Sequence, residues 1–137
     1  MAKLLKIISF IIIVVIVAFA TRFFYDNYQD KIKPLVSFEQ YNHNFDTINS
    51  PKEAEIYFVY KNIGTKDLII RDVQTTCGCT IPVWSQNKLS NGQKDSLLVK
   101  YHTENKGHFV KEIMVYSNSA NSPTRLKING YVPYDFE

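Results

Sequence analysis

The chain has 137 residues, which is room for one domain with a short appendage. Its composition, 45% hydrophobic and 21% charged, is ordinary for a globular protein and excludes a disordered chain. Lys3, Lys6 and Arg22 account for the whole net charge of +3, so the rest of the chain is formally neutral. Without a basic face, no nucleic-acid partner is predicted.

The first segment, residues 1–25, has the composition of a membrane helix. The basic sequence MAKLLK leads into IISFIIIVVIVAFA, in which Ser9 is the only polar residue. As a helix, residues 4–24 would extend about 31 Å, close to the roughly 30 Å hydrocarbon core of a bilayer. The segment is apolar on every face, which disfavours a buried helix of a soluble core. We therefore predict a single-pass anchor in the cell inner membrane. Lys3 and Lys6 favour a cytoplasmic N-terminus, with the remaining chain on the periplasmic, extracytoplasmic side.

A cleaved signal peptide is the alternative for the same segment. Ala18-Phe19-Ala20 would then supply the small residues of the cleavage site, and the protein would be secreted to the periplasm. The long β-branched stretch and the aromatic residues 23–25 favour the uncleaved anchor. Both alternatives place the rest of the chain in an oxidising compartment.

Residues 26–34, DNYQDKIKP, are polar and end in proline, so they are predicted to form a linker. Residues 35–137 form the predicted domain, in which apolar residues alternate with a period of two. Turn residues lie between the alternating stretches, notably at 62–65 and at Asn91-Gly92. The pattern predicts strands over residues 36–38, 53–61, 67–73, 97–101, 109–116 and 126–132.

About seven short strands over roughly a hundred residues predict an all-β fold, an immunoglobulin-like antiparallel β-sandwich. The two cysteines lie on one stretch and cannot bridge distant strands, so apolar packing must hold the sheets together. The predicted core residues are Phe38, Phe45, Phe58, Ile70, Val99, Ile113 and Ile128.

The cysteine pair lies in the sequence TTCGCT, residues 75–80. A Cys77–Cys79 disulfide closes a loop of only about three residues and would restrain the unfolded chain by roughly 1.6 kcal/mol, against about 3 kcal/mol for a 15-residue loop. The chain would have to bend at Gly78. Such a pair is better suited to redox exchange, metal capture or local shape than to global stability.

Four roles remain open for the pair. It could form an inert tight turn at a hairpin tip, exchange thiols with other molecules, bind a soft metal such as Cu(I), or form intermolecular disulfides. A metal would need a third ligand, for which His102 and His108 are the candidates, and the spacing does not fit zinc. Arg71 would lower a thiolate pKa if it lay nearby.

The neighbouring residues add two expectations. Thr76 and Thr80 flank the turn, and Trp84 either covers the cysteines or fills the core. Pro82 predicts an edge strand or a bulge, because proline cannot donate to a sheet ladder.

Several short motifs together resemble one bacterial family. In chain order they are Phe58-Val59-Tyr60-Lys61-Asn62-Ile63-Gly64, Leu68-Ile69-Ile70, Thr76-Cys77-Gly78-Cys79-Thr80, Gly92, Gly107-His108-Phe109, Val115-Tyr116-Ser117-Asn118 and Ile128-Asn129-Gly130-Tyr131-Val132. Their order and spacing resemble the domain of unknown function 1573 family over residues 36–132. The resemblance implies an exported immunoglobulin-like domain, often attached to a membrane, and supplies no established activity. Asp46 and Asn91 stand where the family usually has Gly and Pro, in turns that tolerate them.

No nucleophile elbow, P-loop or H-E-x-x-H sequence is present, so we expect a module without catalytic activity and without a cofactor. Its expected role is structural or the binding of an envelope protein, with an exposed edge strand as the point of pairing. The alternative function is thiol–disulfide or copper chemistry through Cys77 and Cys79. The sequence does not predict an oligomeric state.

Overall fold

The computed structural model describes residues 2–31 and 33–135, which form two compact units, residues 1–33 and 34–137. The first unit is the helix α1, Ala2–Lys31. Within the described residues, its Lys6–Tyr28 part is the one stretch long and apolar enough to cross a membrane, with a mean hydropathy of 2.7 and none of it buried. These are criteria of length and composition, which a signal sequence also meets.

The helix continues into the segment that was predicted to be a linker, since residues 26–31 are helical. The polar residues there carry no helix-breaking feature, and the first proline of the chain is Pro34. Polarity marks the end of the apolar stretch, whereas the helix ends only near the proline.

The described residues of the second unit form eight strands, against about seven predicted. They are β1 Val36–Phe38, β2 Asn42–Thr47, β3 Glu55–Asn62, β4 Ile70–Thr75, β5 Thr80–Val83, β6 Lys94–Tyr101, β7 Gly107–Ser117 and β8 Thr124–Val132, with a 3₁₀ turn at Pro51–Ala54 before β3. Sequence patterning missed β2 because it is polar and largely exposed. The short strand β5 was indicated only by Pro82, as an edge strand or a bulge.

The strands form two four-stranded sheets, with the orders β1-β3-β6-β5 and β2-β8-β7-β4. The predicted antiparallel sandwich is confirmed, with one parallel pair, β2 and β8, at one edge. The reason is that β2 leads through the 3₁₀ turn into β3 of the other sheet and never folds back on a neighbour of its own.

The inward faces of the two sheets form one apolar core. Six of the seven predicted core residues are confirmed as buried, at 4% exposure or less, and Phe45 is partly buried against them. The six are Phe38, Phe58, Ile70, Val99, Ile113 and Ile128. Period-two alternation therefore identified the buried face of nearly every strand.

Asp46, at the register shift in β2, and Gly92, in the turn before β6, have a left-handed backbone. Asp46 has φ of 52° and Gly92 has φ of 78°. Aspartate is among the few residues other than glycine that adopt this conformation readily. Asn91, which precedes Gly92, donates its side-chain amide to the carbonyl of Gly64. This bond links the turn at Asn91-Gly92 with the turn after β3.

Gly130 of β8 occupies a position without room for a side chain. A Cβ atom there would lie 3.0 Å from both Phe109 Cζ and Phe45 Cβ. We expect Gly130→Ala to destabilise the domain by about 1–3 kcal/mol, because two packed aromatic rings would have to move. Urea unfolding of the full chain in detergent, followed by the fluorescence of Trp84, measures this. An unchanged unfolding midpoint would contradict the packing described.

Each edge strand has backbone groups that are satisfied locally. In β1, the outward N–H groups of Val36 and Phe38 donate to Asn121 Oδ1 and to the Tyr41 hydroxyl, at 3.3 and 3.4 Å. The Asn121 amide also donates to the carbonyl of Val36 at 2.8 Å, as a partner strand would.

The other three edges are protected by different means. In β5, Pro82 has no N–H, which confirms the predicted edge strand. The Val73 N–H in β4 donates to the Asp72 carboxylate at 2.9 Å, and the Asp46 N–H in β2 donates to Asn44 at 3.2 Å. These contacts reduce the number of backbone groups that the edges offer to a strand from another chain.

Candidate functional site: the cysteine arch between the sheets

The sequence TTCGCT forms an arch, residues 75–80, that carries the chain from one sheet to the other. Strand β4 ends at Thr75 on the edge of the second sheet, and β5 begins at Thr80 on the edge of the first. The two strands do not pair with each other, so the expectation of a hairpin tip was wrong. A hairpin and an arch share the same turn residues, and only the pairing of the flanking strands distinguishes them.

Cys77 and Cys79 form a disulfide bond, with 5.3 Å between their Cα atoms. Both side chains are half-buried, but their surroundings differ. Cys79 packs against the hydrophobic core, whereas Cys77 lies outside that cluster. The backbone N–H of Cys79 donates to Cys77 Sγ at 3.3 Å.

Hydrogen bonds that involve no sulfur hold the arch in place. The Thr75 hydroxyl donates to the carbonyl of Cys77 at 2.8 Å and lies 3.3 Å from that of Thr80. The N–H of Thr76 donates to the carbonyl of Glu112 at 3.3 Å, and the carbonyl of Cys79 accepts from the N–H of His102 at 2.8 Å. The backbone on each side of the disulfide is therefore attached to a neighbouring strand or loop.

Gly78 lies at the bend that the sequence predicted, but the bend does not use the left-handed backbone that favours glycine. Its φ lies outside the left-handed region, and a Cβ atom there would meet nothing within 4 Å. The bend therefore uses a backbone conformation without a positive φ, and apart from the two flanking cysteines nothing crowds the Cβ position of residue 78.

Gly78→Ala is accordingly expected to be tolerated, with a change in stability of about 1 kcal/mol or less and in the stabilising direction. A compatible Gly→Ala change mainly restricts the unfolded chain. Urea unfolding and quantitative thiol counting after alkylation would measure the stability and the disulfide. A loss of more than about 1 kcal/mol, or free thiols in the variant, would contradict the conformation described.

The residues on the core side of the arch are apolar or poorly paired. Trp84 is half-buried and packs against the core. Among the described residues, neither its Nε1 nor the hydroxyl of the buried Thr80 has a hydrogen-bond partner. Tyr101, opposite Thr80 in the sheet, stacks on Phe109 with 3.7 Å between ring centroids, and burial raises the pKa of its hydroxyl. Tyr101 is thus a packing group rather than a base.

The structure brings neither candidate histidine side chain into a metal site with the cysteines. His102 contacts the arch through its backbone, and His108 lies on β7 against Tyr131, with ring centroids 4.6 Å apart. No group of three or more His, Cys, Asp or Glu suited to a metal occurs within residues 2–31 and 33–135. Arg71 is exposed near the start of β4, four residues or roughly 13 Å along the strand before its end at Thr75.

Two outer surfaces were not predicted. On the second sheet, an open cavity of about 660 Å³ is lined by polar and apolar residues of β2, β7 and β8. They include Asn44 and Asn129, whose side chains hydrogen-bond at 2.6 Å. The first sheet has an apolar row across β3, β6 and β5, formed by the cross-strand neighbours Tyr57, Leu98 and Val83. Tyr57 and Val83 are 56% and 52% exposed. The sequence did carry a signal for this row, namely apolar residues at positions that the period-two alternation places on the outward face.

The two packed sheets define an immunoglobulin-like and PapD-like β-sandwich. A protein of unknown function from Porphyromonas gingivalis is similar with a TM-score of 0.64 and 13% identity, over 74% of this chain and 48% of that chain. The PapD-like domain 7 of human CEP192 is similar with a TM-score of 0.59 and 12% identity, over 74% and 86% of the two chains. The periplasmic chaperone SfaE is similar with a TM-score of 0.54 and 9% identity, over 72% and 58%.

These identities show a common fold alone, and the chain spans only about half the length of the first and third of these structures. The chain belongs to the family described as Protein of unknown function (DUF1573), whose model matches residues 36–132. This match confirms the resemblance inferred from the short motifs. No curated protein matches the sequence.

Proposed function

We propose that the chain is a non-catalytic module on the extracytoplasmic side of the inner membrane, anchored by α1, that binds another envelope protein. The anchor is supported by the length and hydropathy of Lys6–Tyr28 and by the absence of burial along it. The basic residues Lys3 and Lys6 support a cytoplasmic N-terminus and an exported domain, residues 35–137, in the periplasm. The Cys77–Cys79 disulfide is compatible with that oxidising compartment.

The observation that carries the binding proposal is the apolar row Tyr57, Leu98 and Val83. Exposed apolar residues that are contiguous across strands mark interaction surfaces more often than isolated ones do. Ile81, which is 42% exposed, extends the row along β5. The Lys100–Glu55 pair at 2.6 Å lies beside it and provides a polar rim.

The partner is expected to pack side chains onto this face rather than add a strand to an edge. Strand addition needs unpaired N–H and C=O groups, and the edges present proline or locally bonded groups instead. The similar structure of a chaperone in complex with a tip adhesion subunit, with a TM-score of 0.52, supports a protein partner by analogy of fold alone.

Site-specific photocrosslinking in intact cells tests the binding proposal. A photoreactive residue at Val83 should crosslink one envelope protein, whereas the same residue at Arg125, on the outer face of the other sheet, should not. Adding Tyr57→Asp should abolish the Val83 crosslink while the domain stays folded. An identical pattern at both positions, or a crosslink that survives Tyr57→Asp, would refute this interface.

The anchor has a separate test. The mass of the protein recovered from membranes should correspond to the chain with residues 1–25 still attached. A mature form that begins after Ala20 would show that the helix is a signal peptide and that the module is released to the periplasm. Labelling of cysteine variants from outside intact inner membranes would establish the side on which the domain lies.

A further inference from the structure

The disulfide gains little protection against reduction from the fold. Folding makes a disulfide harder to reduce to the same extent that the disulfide stabilises the fold. A loop closed between positions 77 and 79 stabilises the fold only slightly, because it scarcely restrains the unfolded chain. The bond therefore remains open to reduction in the folded protein, unlike a bridge between distant strands.

The arch would keep its shape after reduction. The Thr75 hydroxyl donates to the carbonyl of Cys77 and the His102 N–H to that of Cys79. The Thr76 N–H donates to the carbonyl of Glu112 on β7, and none of these contacts includes sulfur. With the Cα atoms held 5.3 Å apart, the two thiols would stay within reach of each other. A pair that can open without unfolding and close again is suited to repeated exchange.

The two sulfurs are not equivalent. Cys77 Sγ accepts the N–H of Cys79 at 3.3 Å, and a hydrogen bond of this kind stabilises a thiolate. Cys79 packs against the apolar core, an environment that disfavours a thiolate and hinders approach by another molecule. Gly78 between them is exposed and Cys77 is half-buried rather than enclosed, so a partner can approach the outer side of the pair.

From these observations we infer that the Cys77–Cys79 pair is a thiol–disulfide exchange centre in which Cys77 forms the mixed disulfide and Cys79 resolves it. The substrate class is a dithiol or disulfide of another extracytoplasmic protein. This activity goes beyond the proposed binding function and uses a different part of the surface.

The exchange needs no oxidant or reductant other than the substrate dithiol and the Cys77–Cys79 disulfide. A substrate thiolate attacks Cys77 Sγ, the Cys77–Cys79 bond breaks, and Cys79 leaves as a thiolate that takes up a proton. The second substrate thiolate then attacks the substrate sulfur of the mixed disulfide and expels Cys77 as a thiolate. The substrate loses two electrons and two protons and becomes a disulfide, while the cysteine pair is reduced. The reverse sequence reduces a substrate disulfide and restores the Cys77–Cys79 bond.

The first experiment measures whether the folded pair exchanges. The full chain in detergent is equilibrated with mixtures of reduced and oxidised glutathione, alkylated, and analysed by mass. We expect the pair to pass from oxidised to reduced across these mixtures while Trp84 fluorescence shows a folded domain. A pair that stays oxidised in reduced glutathione until urea unfolds the chain would overturn the proposal.

The second experiment distinguishes the two sulfurs. Cys79→Ser leaves Cys77 with the backbone donor of residue 79 intact, and Cys77→Ser is its matched partner. With oxidised glutathione as the probe, Cys79→Ser should form the adduct at least tenfold faster, and alkylation of its thiol should begin at lower pH. Equal rates, or a faster reaction of Cys77→Ser, would overturn the assignment of Cys77.

The two proposals fail independently. The apolar row on the outer face of the first sheet contains neither cysteine, so both single cysteine variants should keep the Val83 crosslink. If exchange is absent and the Val83 crosslink is retained, only the redox proposal is refuted. If the crosslink is absent and exchange is intact, only the proposed interface is refuted.

Discussion

Asn62→Asp is expected to destabilise the domain by about 3–5 kcal/mol, because it changes one donor group into an acceptor at a fully buried position. Asn62 is 0% exposed. Its Nδ2 donates to the carbonyls of Lys66 and Leu89 at 2.7 and 2.8 Å. Its Oδ1 accepts the N–H of Gly64 at 2.9 Å. An aspartate would place a carboxylate oxygen against two carbonyl oxygens.

The side chain of Asn62 hydrogen-bonds backbone groups of two loops at the end of β3. The backbone of Asn62 adds bonds to Gln93 and Gly92, so the residue connects the turn after β3 with the turn before β6. Asn62→Ala should also be destabilising, but less so, since it removes bonds without adding a charge.

The matched control is Asn87→Asp. Asn87 is exposed, and its only described hydrogen bond uses its backbone N–H, to the Ser85 hydroxyl. The control should change stability by less than about 0.5 kcal/mol. Urea unfolding of both variants in detergent gives the comparison. Similar unfolding midpoints for the two would show that Asn62 is not the connection described.

Phe58→Ala is expected to cost about 3–5 kcal/mol, the usual range for removing a buried aromatic ring. Phe58 lies at the centre of β3, is 0% exposed and is among the largest fully buried side chains of the core. The surrounding residues come from both sheets and cannot collapse into the space without moving strands.

Tyr57→Ala is the control for Phe58, because the adjacent side chain points to the opposite face. Tyr57 is 56% exposed, so its removal should cost less than about 1 kcal/mol while weakening the proposed interface. Thermal or urea unfolding followed by Trp84 fluorescence reports both. Comparable losses at the two positions would contradict the register of β3 between the sheets.

The sequence patterns that gave correct structural predictions are those with a local physical cause. A long apolar stretch requires a nonaqueous environment or burial, which identified α1. Period-two alternation follows from strand geometry, which identified the core positions of β3, β6, β7 and β8. Pro82 predicted an edge because proline lacks an N–H, whatever the neighbouring strand is.

The sequence identified where the candidate site lies, but not how its cysteines are bonded and held. The sequence TTCGCT identified Cys77, Gly78 and Cys79 as a bend, and the roles of the Thr75 hydroxyl and of His102 N–H depend on residues brought together by the sheets. The asymmetry between the two sulfurs likewise arises from the core beneath Cys79.

By itself, the sequence determined an apolar N-terminal helix, a family, an all-β domain and the face that each clear strand buries. Only the tertiary structure decided that β2 runs parallel to β8, that residues 75–80 join two sheets rather than a hairpin, and that side chains such as Asn121 protect the edges. The physical reason is that alternation specifies the side of a strand that is buried, whereas its neighbours are chosen by packing between residues distant in the chain.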